Sequence, residues 1–131
     1  MDNTGLSILL IVAVVFTVPY LFTRFSSRRA IGKATPSLEQ LLPEDADINK
    51  TLYLYFMSDN CPMCSSMSSL IKELQTLNPN IITINVDKMS DHARGFYVFG
   101  TPTLLAVKNN TILKTKLGSL SKKKLKYFIY S

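Results

Sequence analysis

From Gly5 to Thr23 the chain runs 19 residues without a charged side chain, rich in Leu, Ile, Val and Phe. A segment of that kind has few places to go. As a helix rising about 1.5 Å per residue it spans roughly 28 Å, close to the hydrocarbon thickness of a bilayer. A helix buried in a soluble core would normally keep a polar face over such a length. A cleaved secretory signal would want a basic start, a shorter apolar core and a small-x-small cleavage site, whereas the only charge before the run is that of Asp2 and Thr23-Arg24-Phe25-Ser26-Ser27 at its end offers no such site. Residues 1–23 are therefore expected to form a transmembrane anchor, with Pro19 where a membrane helix tolerates a kink.

Charge then orients the anchor. Arg24, Arg28, Arg29 and Lys33 follow it with no acid among residues 24–33. Such a flank prefers the cytoplasmic side, so a single-pass protein with its soluble domain in the cytoplasm is expected. The same stripe could also lie on anionic headgroups without changing that orientation. Residues 24–35 read as a basic juxtamembrane linker. They carry most of the formal net charge of +6, since residues 34–131 hold 11 basic and 8 acidic side chains. No basic patch interleaved with aromatic residues is present, so nucleic acid is not an expected partner. The lysines at 122, 123, 124 and 126 read as the solvated face of a terminal helix.

Residues 36–131 suffice for one domain. Ser37 and Gln40 have capping-box spacing, which predicts a short helix over Pro36–Leu42 that stops at Pro43. Thr51–Met57 is dense in aromatic and aliphatic residues, as a strand buried on both faces should be. Ser58, Asp59 and Asn60 end it as potential N-caps. Cys64, Met67, Ile71 and Leu74 recur at helical spacing with Leu70 and Leu77 beside them, and Asn78-Pro79-Asn80 closes that helix. Ile81–Asp87 alternates like a strand, and Ser90–Tyr97 makes a short helix or turn. Thr103–Val107 and Thr111–Lys116 form a hairpin around Lys108-Asn109-Asn110. Ser121 can cap a last helix burying Leu125, Phe128 and Ile129. The order predicts an α/β domain, a mixed sheet with helices on both faces.

The chemistry centres on Cys61-Pro62-Met63-Cys64, the only two cysteines, placed between a strand and a helix. A dithiol at the mouth of a helix suits disulfide exchange. Cys64 falls on the apolar stripe and faces the core, whereas Cys61 precedes it at the helix tip. A permanent bridge would close too small a loop to staple a domain. A closed zinc site would need two further ligands, and only His92 offers another imidazole. Met63 and Met67 could add soft ligands for Cu(I) beside two thiolates, although methionine at this spacing usually packs. His92 itself reads as a surface residue. The sequons at Asn49 and Asn109 matter only in a secretory lumen.

These features resemble the thioredoxin family across residues 36–131. The dithiol follows the strand ending in Phe56, and Gly100-Thr101-Pro102-Thr103-Leu104-Leu105 comes about 40 residues later. Lys108-Asn109, Gly118 and Leu120-Ser121-Lys122 complete the pattern, and Val86-Asp87 matches the end of the family's central strand. The resemblance implies a thioredoxin-like fold and a thiol–disulfide oxidoreductase that needs no cofactor or metal. Cys61 would be the attacking nucleophile, its thiolate favoured by the free N–H groups and dipole of a helix N-terminus. Cys64 would resolve the mixed disulfide. Pro62 and Met63 would tune the pair, and a cis Pro102 would pack beside it. Thr101, Thr103 and Gly118 would line the groove for an extended substrate strand. Protein thiols or disulfides are the implied substrates, with a second protein to recycle the pair. A non-catalytic binding module or a Cu(I) carrier are the alternatives.

Three positions depart from the family. Asn60 stands where a tryptophan usually precedes the first cysteine, and Tyr55 replaces a buried acid that assists proton transfer. Met63 carries neither charge nor donor. The Pro62-Met63 dipeptide implies a redox poise between roughly −120 and −270 mV, and the departures leave the direction of exchange open.

Overall fold

The computed structural model describes residues 3–131. Its first element, α1 (Asn3–Arg28), carries the apolar run and continues past it. This helix is long and apolar enough to cross a membrane, and its most apolar window is wholly uncovered by the rest of the chain. Within so apolar a helix each hydroxyl needs a partner. Ser7, Thr17 and Thr23 accordingly donate to the carbonyls of Asn3, Ala13 and Pro19.

The remaining elements are layered on β1 (Leu52–Met57). The sheet has the order β2-β1-β3-β4. Strand β2 (Ile81–Asn85) runs parallel to β1, whereas β3 (Thr103–Lys108) pairs antiparallel with both β1 and β4 (Thr111–Leu117). The parallel pair needs a crossover, which α2 (Pro62–Gln75) supplies. Alternation along β1 divides the core in two. Leu54 and Phe56 meet Ile82, Ile84 and Phe96 on one face. Tyr55 lies on the other, under Met67, Ile71 and Leu74 of α2 and under Leu125 and Ile129 of α4 (Lys122–Tyr130). The short helix α3 (Ser90–Gly95) precedes Phe96. This is the mixed sheet with flanking helices expected from the sequence.

At the β3–β4 turn Asn109 and Asn110 both take positive φ, 50° and 55°, the pairing a two-residue hairpin with right-handed twist requires. Edge strand β2 is partly covered by Gln75, whose Nε2 donates to the Ile81 carbonyl (3.0 Å) and to Thr83 Oγ1 (3.1 Å). An edge blunted by a side chain is a weaker template for stray pairing.

Several local expectations are corrected. Pro36–Leu42 is not helical: Leu41 N–H donates to the Leu38 carbonyl (2.9 Å), and the segment otherwise holds only turns. Pro43 biases Leu42 away from helical geometry, which leaves too few residues to sustain a helix between two prolines. Burial of Leu38 in the core then fixes the path. Ser121 stands at the N-cap of α4 and Cys61 at that of α2, but neither makes a side-chain cap bond. Ser58, Asp59 and Asn60 precede the α2 cap.

The stretch after α1 lies against the sheet. Ala30 is buried. Gly32 N–H donates to the Ile112 carbonyl (2.8 Å), Ile112 N–H to Lys33 (3.0 Å) and Thr35 N–H to Asn110 (2.8 Å). Residues 32–35 thus run antiparallel along the outer edge of β4, bridged at Ala34 and Thr111.

Candidate active site

Cys61 occupies the N-cap of α2 with extended backbone (φ −99°, ψ 108°), and Pro62 follows at the first helical position. Proline suits that position because its missing N–H would have had no intrahelical partner. One turn on, Cys64 N–H donates to the Cys61 carbonyl (3.1 Å). The two Cα atoms are 5.3 Å apart and the side chains are joined as a disulfide. The helical phase makes the pair unequal. Cys64 is 1% exposed and belongs to the buried stripe, whereas Cys61 is half-buried at the tip. Met63 is 53% exposed, and Met67, one turn beyond, is wholly buried.

The loop before the dithiol is tied to the end of β2. Ser58 Oγ donates to the Asp87 carboxylate (2.8 Å to Oδ2), which also accepts from Asp59 N–H (2.9 Å). Asn85 Nδ2 donates to Asp59 Oδ2 (2.9 Å). In the sequence Val86-Asp87 reads only as a strand end. The signal for its role was the run of short polar residues at both β1 and β2 termini, which the parallel pairing brings side by side.

Under the dithiol lies Tyr55, fully buried. Its hydroxyl donates to the Cys64 carbonyl (3.1 Å) and lies 3.0 Å from Ser68 Oγ. A phenol has one hydrogen, so with it given to the carbonyl, Ser68 is the donor in the second bond. Burial pushes the Tyr55 phenol above its ordinary value, and the Ser68 hydrogen bond only partly offsets this. The group is therefore neutral across the physiological range and cannot take a proton from Cys64. Tyr55→Phe is expected to cost about 1 kcal/mol of stability for the lost bonds. It should leave the pH profile of activity between about pH 6 and 9 unmoved, because no titrating group is removed there. Denaturation and pH–rate curves of the variant check both.

Opposite the dithiol, Phe56 pairs with Thr103, so Pro102 sits at the end of β1 from which the Cys61 loop departs. Pro102 is buried and the Thr101–Pro102 bond is cis, as the resemblance implied. The Pro102 carbonyl accepts from Gly118 N–H (2.8 Å). Gly118 has φ of 99°, a left-handed conformation that side chains disfavour. Thr103 is buried and donates to the Gly100 carbonyl (2.6 Å), while Thr101 is half-buried. His92 lies on α3, half-buried. Among the described residues no three His, Cys, Asp or Glu side chains cluster to hold a metal.

A half-buried cysteine bonded to a buried one, at the tip of a helix beside a mixed sheet, defines a thiol–disulfide exchange domain. The thioredoxin family model matches residues 39–131. Thioredoxin of Buchnera aphidicola (subspecies Baizongia pistaciae) is 31% identical over 83 residues, covering 61% of this chain and 76% of that protein. Thioredoxin H5 of Oryza sativa is 29% identical over 82 residues, covering 61% of each. The thioredoxin pre-protein of Schistosoma mansoni superposes with a TM-score of 0.59 at 28% identity, over 70% of this chain and 82% of that one. Thioredoxin NaTrxh of Nicotiana alata gives 0.57 at 27%, over 63% and 73%. The chain belongs to the thioredoxin family and is a thiol–disulfide oxidoreductase.

Proposed function

We propose that the protein is a membrane-tethered oxidoreductase that exchanges disulfides with protein substrates, Cys61 attacking and Cys64 resolving. The observation that carries this reading is the unequal exposure of the two bonded cysteines. In the reduced state the Cys61 thiolate, favoured by the positive end of the α2 dipole, attacks a substrate disulfide. A bond forms between Cys61 Sγ and one substrate sulfur, and the other leaves as a thiolate. Cys64 then loses its proton to solvent or to that departing thiolate and attacks Cys61 Sγ. The second substrate thiolate leaves, two electrons have passed to the substrate, and Cys61–Cys64 is oxidised. A dithiol protein recycles it. Run backwards, the same steps oxidise a substrate.

Pro62 and Met63 set the dipeptide between the sulfurs, and Pro102 packs beside them. Thr101 and Gly118 receive an extended substrate strand, with Thr103 holding Gly100 from beneath. Residues 1–23 serve as the anchor, 24–35 as the basic junction and 36–131 as the catalytic domain, on the cytoplasmic side by the positive flank.

Cys64→Ser is expected to stall the reaction at the mixed disulfide. Cells expressing the full-length variant should accumulate membrane-sedimenting adducts joined through Cys61 and released by reductant. Normal expression with no adduct would overturn the oxidoreductase reading, and adducts in the soluble fraction would overturn the tether.

A further inference from the structure

We infer that the redox site works at the membrane surface on the extended juxtamembrane segment of a second membrane protein, one carrying carboxylates beside its cysteine. This rests on the membrane-tethered reading above and specifies its substrate.

A cavity of about 410 Å³ separates the C-terminal turns of α1 from the catalytic domain. Tyr20, Arg24 and Arg28 line it from the helix, and Met63, Lys116 and Gly118 from the domain. The cavity thus adjoins the site, because Met63 lies between the two cysteines in sequence and Gly118 is bonded to Pro102. The helix is not free to swing away. Ser27 and Ala30 are buried, and the antiparallel bonds of residues 32–35 to Asn110 and Ile112 follow within a few residues. Tyr20 and Arg24 end the apolar run, and side chains of those types sit at headgroup level when such a run spans a bilayer. Met63 lies across the cavity from them, which brings the Cys61–Cys64 turn close to that level.

Two consequences follow. A folded soluble substrate meets the bilayer and α1 on one side of the dithiol. A chain emerging from the bilayer beside α1 enters the cavity directly. No acidic side chain among the described residues lines the cavity. Arg24, Arg28 and Lys116 make no ion pair among the described residues. Three cations facing one cavity without a counter-charge complement carboxylates on whatever enters it.

The test uses full-length protein, reduced beforehand, in phosphatidylcholine vesicles, which lack the net negative charge that would compete for the arginines. The probes are single-span peptides bearing one cysteine as a mixed disulfide with a fluorogenic thiol. The cysteine is placed about 4 or about 20 residues beyond the span, the longer arm reaching roughly 66 Å when extended. Its flanks are Asp-Glu or Asn-Gln. Single-turnover release from the near probe should be at least about tenfold faster than from the far one, the scale of an effective-concentration advantage. Acidic flanks should give at least about a fivefold further gain, and Arg24→Gln with Arg28→Gln and Lys116→Gln should bring that acidic-to-amide ratio to about one. A near-to-far ratio of one or less, an acidic-to-amide ratio of one in the unsubstituted protein, or an acidic-to-amide ratio unchanged in the triple variant overturns the inference. A small soluble disulfide in the same vesicles separates the layers. If it is not reduced, or if the protein washes off in high salt, the underlying reading has failed instead.

Discussion

Cys61→Ser is expected to lower the rate of protein-disulfide reduction at least about a thousandfold, into the range set by loss of a covalent nucleophile. A serine hydroxyl is almost wholly protonated at neutral pH. The same helix tip that favours a thiolate cannot bring it into the reactive range. Cys64 cannot substitute, since it is 1% exposed beneath the first turn of α2 and no substrate sulfur reaches it in line. The two single variants should therefore differ in kind. Cys64→Ser still forms one bond to substrate and releases one thiol equivalent, whereas Cys61→Ser releases none. Quantifying thiol released per protein in a single turnover distinguishes them. Equal first-step rates for the two variants would mean that Cys61 is not the attacker.

That asymmetry was legible in the sequence because helical phase is local. Cys64, Met67, Ile71 and Leu74 share a stripe by spacing alone, and all four are buried in α2. The β3–β4 hairpin was legible for the same reason, two adjacent asparagines between strand-like runs. The segment from Pro36 to Leu42 misled because its capping-box spacing is a weak local signal, set against two prolines and a core that draws in Leu38. The antiparallel bonds of residues 32–35 to the edge of β4 had no signature, since main-chain pairing of a short polar stretch leaves no alternation to read. Tyr55 was visible as a substitution for an acid, but its bonds to the Cys64 carbonyl and Ser68 depend on how α2 crosses β1. The Ser58, Asp59, Asn85 and Asp87 network likewise needs the parallel register of β1 and β2, which joins residues nearly thirty positions apart.

The largest expected effect on stability is that of Phe56→Ala. Phe56 is wholly buried at the end of β1, between β2 and β3, with its ring 5.6 Å from that of Phe96. Truncation removes the transfer energy of the ring and leaves a cavity bounded by paired backbone on two sides, which cannot collapse. A cost of about 3–5 kcal/mol follows, against a total of about 5–15 for a domain of this kind. With a urea dependence of about 1–3 kcal/mol per molar, the unfolding midpoint of the full-length protein in detergent should fall by at least about 1 M. The damage should reach the strand ends around the site, because Phe56 pairs with Thr103, the residue after the cis Pro102. The exposed aromatic nearby provides the control. Phe99 is 61% exposed, and Phe99→Ala should shift stability by no more than about 0.5 kcal/mol. Comparable midpoints for the two variants would contradict a core closed around Phe56.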